Sequence, residues 1–171
     1  KNYEELPDLK TAINDANRIA AVLQDQYDYS VTLIEDADRS QIIKSLSSYR
    51  KTTSKSDNVL IYYAGHGILD EDANKGYWLP VDAELEDPSN WILNDMLTAQ
   101  LKAMQAKHVI VISDSCFSGT LTRGLKMEQR TPDWIDRMAK KRARTVLTSG
   151  GLEPVLDSGG GEHSVFAKAF I

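Results

Sequence analysis

Residues 109–119 read VIVISDSCFSG: four β-branched residues in a row, then a short polar burst that holds Cys116, the single cysteine of the chain. Such a run reads as a strand buried on both faces, as in a parallel sheet covered by helices. It ends by presenting a lone thiol among small residues. Working outward, NVLIYYAG from residue 58 reads as a second buried strand and RTVLTSG from 144 as a third. Between them lie helical patterns. Residues 9–26 place Leu9, Ile13, Ala16, Ile19, Ala20 and Leu23 at helical spacing, and 40–51 carry Ile42, Ile43, Leu46 and Tyr49 on one face, with Asp38 or Ser40 as cap. VTLI at 31–34 is expected to be a short strand, YWLPVD after the turn-rich DEDANKG a small hairpin or edge strand, and Asn94 or Asp95 to start a helix through Met104. TPDWIDRMAKK places Pro132 at a helix start. Strands alternating with helices predict an α/β sandwich with a mostly parallel sheet, whose ligands sit beyond the carboxyl ends of the strands.

Composition narrows the function. The chain has 171 residues with 42% hydrophobic, a net charge of −5 and a pI near 5.2, which fits one globular domain and offers no basic footprint for nucleic acid. No apolar run approaches the length of a membrane span, so no membrane partner is expected. One cysteine cannot form an internal disulfide, which favours a reducing compartment and predicts a cytoplasmic protein. Lys1 at the start and the apolar helical pattern HSVFAKAFI at the end lead us to expect cuts in a longer protein. SGGGEH at 158–163 reads as a loop.

Two strands end in reactive groups, YYAGHG with His66 and VISDSC with Cys116. An imidazole can activate a thiol as nucleophile and later protonate a leaving amine. Glycines flank His66, leaving the amide of Gly67 available, with that of Cys116, as an oxyanion hole. Each residue also has a plainer reading: a cysteine at a strand end can be a small buried hydrophobe, and a lone histidine can be structural. His108 and His163 are both read as structural, and Trp78, Trp91 and Trp134 as packing residues, with flanking the cleft as the alternative for Trp91 in its loop.

YYAGHG, GYWLPVDA, SDSCFSG and TSGGLEPVLDSGGGEHSVFAKAF resemble, in this order, motifs of the bacterial branch of the caspase and metacaspase cysteine peptidases. The fifty residues from His66 to Cys116 match the spacing of that pair in caspases. The resemblance covers nearly all of residues 1–171 as one peptidase domain. It implies the caspase-hemoglobinase fold, a three-layer α/β/α sandwich with a central six-stranded, mostly parallel sheet. It also implies a strand before NYEELPDL that this chain lacks, so a segment of a longer chain or a partner is expected to supply it, and sensor or effector regions are expected in the longer protein.

Carried over residue by residue, the resemblance implies Cys116 as nucleophile, His66 as general base and acid, and Gly67 as oxyanion donor. Asp114, two before the nucleophile, stands where metacaspases have an acid, and Asn14 and Asp15 match their asparagine-aspartate pair. Two carboxylates on one pocket favour an Arg or Lys side chain, so cleavage after Arg or Lys is expected. Asp15 can otherwise be a solvated helix acid, and Asp114 a loop cap. Ser149 is a further pocket candidate, although hydroxyls near glycine are mostly turn formers. Arg123, Lys126 and Arg130 lie in the linker where the family often cleaves itself; the alternative there is a solvated loop and an amphipathic helix.

Many metacaspases need calcium. The matching positions here hold Lys75, Asn94 with Asp95, and Arg123, so calcium independence is expected. No metal site is expected, because one cysteine and three dispersed histidines match no closed-site spacing. Two other classes stay open: an interaction module that signals by assembly, and a different thiol hydrolase or acyltransferase.

Overall fold

The computed structural model describes residues 3–115, 143–150 and 161–171. Their elements, in chain order, are α1 (Ala12–Tyr27), α2 (Arg39–Thr52), β1 (Asn58–Ala64), β2 (His66–Asp70), β3 (Lys75–Leu79), β4 (Ile92–Leu93), α3 (Asn94–Ala103), β5 (His108–Asp114), β6 (Ala143–Thr148) and α4 (Val165–Phe170). The expected helix from Pro132, like Cys116, Arg123, Lys126, Arg130 and Trp134, lies outside the described residues.

The three apolar runs form one parallel sheet in the order β1-β5-β6, in register from Asn58 opposite His108 to Ala64 opposite Asp114. Strand alternation sorts their side chains. Val59, Val109 and Val111 point to a core closed by Leu46 of α2 and by Leu97, Leu101 and Met104 in and after α3. Tyr62, Ile112 and Asp114 point the other way, toward Asp15 of α1 and Ser164, the cap of α4. The sheet is therefore a middle layer between helices, as the alternation of elements predicts.

Local chemistry sets the boundaries. Asp38 and Gln41 form a reciprocal capping box at α2, with the Gln41 amide 2.7 Å from Asp38 Oδ1 and the Asp38 amide 2.9 Å from Gln41 Oε1. Asp38, and not Ser40, is thus the cap. The first helix begins three residues later than its apolar spacing indicates, after Thr11. Ser164 caps α4, accepting from the Ala167 amide at 2.9 Å.

The remaining described strands form a separate antiparallel sheet, β2-β3-β4, beside the parallel one. The YWL segment pairs with the residues that directly follow YYAG, so the hairpin expected there forms with His66–Asp70. VTLI at 31–34 departs from expectation: it is not a strand. Among the described residues no strand lies alongside its backbone, and Leu33 and Ile34 are exposed. A cavity of about 720 Å³ separates it from β1 and is lined by apolar residues of α1, α2 and β1, among them Ile19, Leu23, Ile42, Leu46 and Ile61. A strand needs a partner for its backbone as well as suitable side chains, and none of the described strands pairs with this segment.

Candidate active site

The site begins where β1 and β5 end. Ala64 lies opposite Asp114, and each stands two residues before a candidate catalytic residue, His66 and Cys116. The turn from β1 to β2 is tight: the Gly65 amide donates to the Asp114 carbonyl at 3.3 Å, and His66 opens β2 opposite Leu79.

His66 is fixed from several sides. Its amide donates to the Tyr3 hydroxyl at 3.0 Å, and its ring meets the Tyr3 ring edge to face with centroids 4.6 Å apart. Its carbonyl accepts from the Tyr63 hydroxyl at 2.8 Å; that hydroxyl is also 3.0 Å from the Leu79 carbonyl. Tyr63 in turn stacks on Trp78 at 4.1 Å, and Trp78 Nε1 donates to the buried Ser113 hydroxyl at 3.1 Å. Imidazole Nε2 lies 2.7 Å from the Pro7 carbonyl oxygen. A carbonyl only accepts, so Nε2 carries the hydrogen and Nδ1 of the neutral ring keeps the lone pair. A ring held in that tautomer is ready to take a proton at Nδ1.

A second cluster lies on the same end of the sheet. Asp15 is 1% exposed, with Oδ1 2.6 Å from His163 Nδ1 and Oδ2 accepting from the Ser164 amide at 3.1 Å. The Ser164 hydroxyl donates to Asp114 Oδ2 at 2.5 Å. Two residues ahead of α4 therefore join the two acids, one from α1 and one from β5. Tyr62 of β1 feels the charge of both acids. Burial, then the charges of Asp114 and Asp15, push its hydroxyl far above the usual tyrosine range. Burial does the same to Tyr63. At the end of β6 the Ser149 amide donates to the Ser113 carbonyl at 3.0 Å, and its buried hydroxyl has no hydrogen-bond partner among the described residues.

The other sequence candidates are more ordinary. Gly67 pairs with Trp78 within the β2-β3 ladder. Asp70 of DEDAN accepts from the Ala73 amide at 2.9 Å, a turn contact. Lys75 and Asp95 pair with each other at 2.5 Å on the surface. No group of three or more metal-ligating side chains occurs among the described residues. His108 binds Asn58 at 2.8 Å and Trp91 donates to the Glu84 carbonyl at 2.8 Å, in keeping with packing roles. His163, which sequence reading leaves without a partner, is instead bound to a candidate pocket acid. Tyr3 and Pro7, the supports of His66, carry no sequence signal; for Ser164, its place just before the apolar pattern VFAKAF is the signal of a helix cap.

Among solved structures, protein GSU0716 from Geobacter sulfurreducens is similar, with 27% identity and a TM-score of 0.55 over 67% of this chain and 44% of that one. The present chain thus spans less than half the length of that relative. No curated protein matches. A family model described as a caspase domain matches residues 1–171.

Proposed function

The chain belongs to the caspase-domain family, and from that premise we propose that it is a cysteine endopeptidase cutting after Arg or Lys, with Cys116 as nucleophile and His66 as general base and acid. The observation that carries the reading is the imidazole of His66, tied through Nε2 to Pro7 two residues past the end of β1, whose parallel neighbour leads into Cys116.

In this reading Nδ1 of His66 takes the thiol proton, and the Cys116 sulfur attacks the carbonyl carbon of the scissile bond. The amides of Gly67 and Cys116 donate to the oxyanion. Collapse of the tetrahedral intermediate breaks the C–N bond, and the imidazolium returns its proton to the leaving amine. Water, deprotonated by the same imidazole, then hydrolyses the thioester to a free carboxyl group and restores the thiol. Asp114 and Asp15, with Ser149 as a further pocket group, would hold the basic side chain that precedes the cut. Their connection through Ser164 supports one shared pocket. An enzyme of this preference would find its own cleavage sites at Arg123, Lys126 and Arg130.

Calcium is not part of the proposal. Lys75 places its ammonium on Asp95, one of the acids a cation at the matching site would require, so these residues do not fit that ion. We further infer that an added extended segment seats along the outer edge of β1, between it and residues 31–34; the apolar lining of that groove supports this.

The test is release of a fluorophore from Arg-, Lys- and Asp-ended peptides by the longest form of the protein beside Cys116→Ala, with and without calcium. Cleavage after Arg or Lys that vanishes in the variant is expected, unchanged by calcium. Activity that survives in Cys116→Ala, or cleavage only after Asp, overturns the reading.

A further inference from the structure

His163 and Ser164 contribute no catalytic atom to the proposed mechanism, yet they occupy the acids assigned to substrate. Asp15 offers no free face: one oxygen is bound to the His163 imidazole at 2.6 Å, the other to the Ser164 amide at 3.1 Å, and the residue is 1% exposed. The two donors differ in how they are held. Ser164 is anchored, since its hydroxyl binds Asp114 and caps α4 and its amide belongs to the main chain. His163 is attached through a side chain that is 25% exposed and can turn out to water by rotation about its own bonds. The backbone beside it is fastened separately, by Asn14 Nδ2 donating to the Glu162 carbonyl at 2.7 Å.

The geometry points to His163 as the specificity-determining residue of this pocket: its imidazole is a resident donor on Asp15, which an entering guanidinium or ammonium group replaces. The inference rests on the proposed preference for basic side chains. A buried carboxylate that loses a donor without replacement is penalised heavily, so the exchange is favourable only when the newcomer brings N–H groups of its own. Arg and Lys do so, and the anchored Ser164 amide stays in place on the second oxygen. An apolar side chain that displaced the imidazole would strand Oδ1. Discrimination then comes from the acceptor left unpaired as much as from attraction between charges.

The experiment has two arms on the full-length enzyme. In the first, His163→Ala is compared with wild type on Arg-ended and norleucine-ended peptides. Removing the resident donor is expected to lower KM for the Arg-ended peptide about tenfold, the scale of one hydrogen bond to a charged group, with the change in KM rather than kcat. His163→Asn, whose amide can reach Asp15 as a neutral donor, is expected to restore most of the wild-type KM. A KM in His163→Ala equal to or above wild type overturns the proposal. The second arm uses unmutated protein, so it stands even if the alanine variant does not fold. The chain has three histidines, and the Nδ1 resonance of His163 in ¹⁵N-histidine-labelled protein is followed while arginine amide or norleucine amide is added. A shift to the unbound position with arginine amide alone is expected. No movement at saturating arginine amide overturns the proposal. If wild type cuts no peptide at all, the peptidase reading falls, and the resonance by itself decides the exchange on Asp15.

Discussion

Ala64 of β1 and Asp114 of β5 stand opposite each other in a parallel ladder, and the carbonyl of Asp114 accepts from the amide of the residue that follows Ala64. This pairing brings the carboxyl ends of the two strands together at the point where each leads into a residue of the proposed dyad. The bridging residue is Gly65, and a Cβ there would meet Cζ and the hydroxyl of Tyr63 at 2.5 Å. Tyr63 has little freedom to retreat, since it is stacked on Trp78 and bound to two carbonyls. Gly65→Ala is expected to cost about 1–3 kcal/mol, as overpacking does, and to lower kcat by shifting His66. Thermal unfolding and peptide kinetics on the same preparation check both effects.

Asp114, assigned to the proposed pocket, has Ser164 on one oxygen. Asp114→Asn keeps the shape and removes the charge. We expect kcat/KM for Arg-ended peptides to fall about tenfold to a hundredfold, the worth of one hydrogen bond to a charged group, while neutral-ended peptides change little. Asp15→Asn is expected to show the same loss together with a lower Tm, because Asp15 also fastens His163 and the Ser164 amide to α1. Equal losses on basic and neutral peptides would remove both acids from specificity.

Far from the pocket, Arg144 closes the lower end of the sheet. Its guanidinium donates to the carbonyls of Leu101, Met104, Ala106, Lys107 and Ala143 at 2.8–3.3 Å. These include the Leu101 carbonyl, which also accepts from the Met104 amide at 3.3 Å, and the carbonyl of Met104 itself, just past the end of α3. Arg144→Ala should destabilise the protein by about 2–4 kcal/mol, the range for breaking a network of charge-assisted bonds. Arg144→Lys should recover only part of that, since an ammonium has three donors and no planar fork. Urea unfolding of the three proteins gives the comparison.

Tyr62 and Tyr63 hold their protons more firmly in the folded protein than the ordinary tyrosine value of 10.0 allows, chiefly because they are buried. Their folded values are raised, so the stability they contribute is complete below about pH 10 and is lost as the unfolded chain ionises above it. Unfolding free energy should therefore fall with rising pH in the alkaline range. A spectrophotometric titration of the native protein should leave at least two of the seven tyrosines un-ionised until the chain unfolds. Full ionisation of all seven without unfolding would contradict the buried placement.

The layered fold was readable because its signal is local. One β-branched run, two further strand-like runs and two amphipathic helical patterns fix which segments are strands and helices, and a parallel sheet with covered faces follows. VTLI shows the limit of that reading: its side chains suit a strand, but strand formation depends on a neighbouring backbone edge, which no window of its own sequence contains. His66–Asp70 shows the converse, since HGILD, a segment without a strand signal of its own, becomes a strand because β3 supplies the partner. At the site, His66 could be picked out by its glycines and its spacing from Cys116. His163 could not, because its partner Asp15 lies 148 residues earlier and only the packing of α1 against the start of α4 brings them together.

The central claim is that His66 and Cys116 act on each other. Cys116 is the single thiol of the chain, so its alkylation by iodoacetamide can be followed without interference. Measured against pH in wild type and in His66→Ala, the rate should show in wild type a reactive thiolate well below the ordinary cysteine range near 8.5. In His66→Ala that low-pH reactivity should disappear, leaving a single rise near the ordinary value. Superimposable profiles for the two proteins would contradict the dyad.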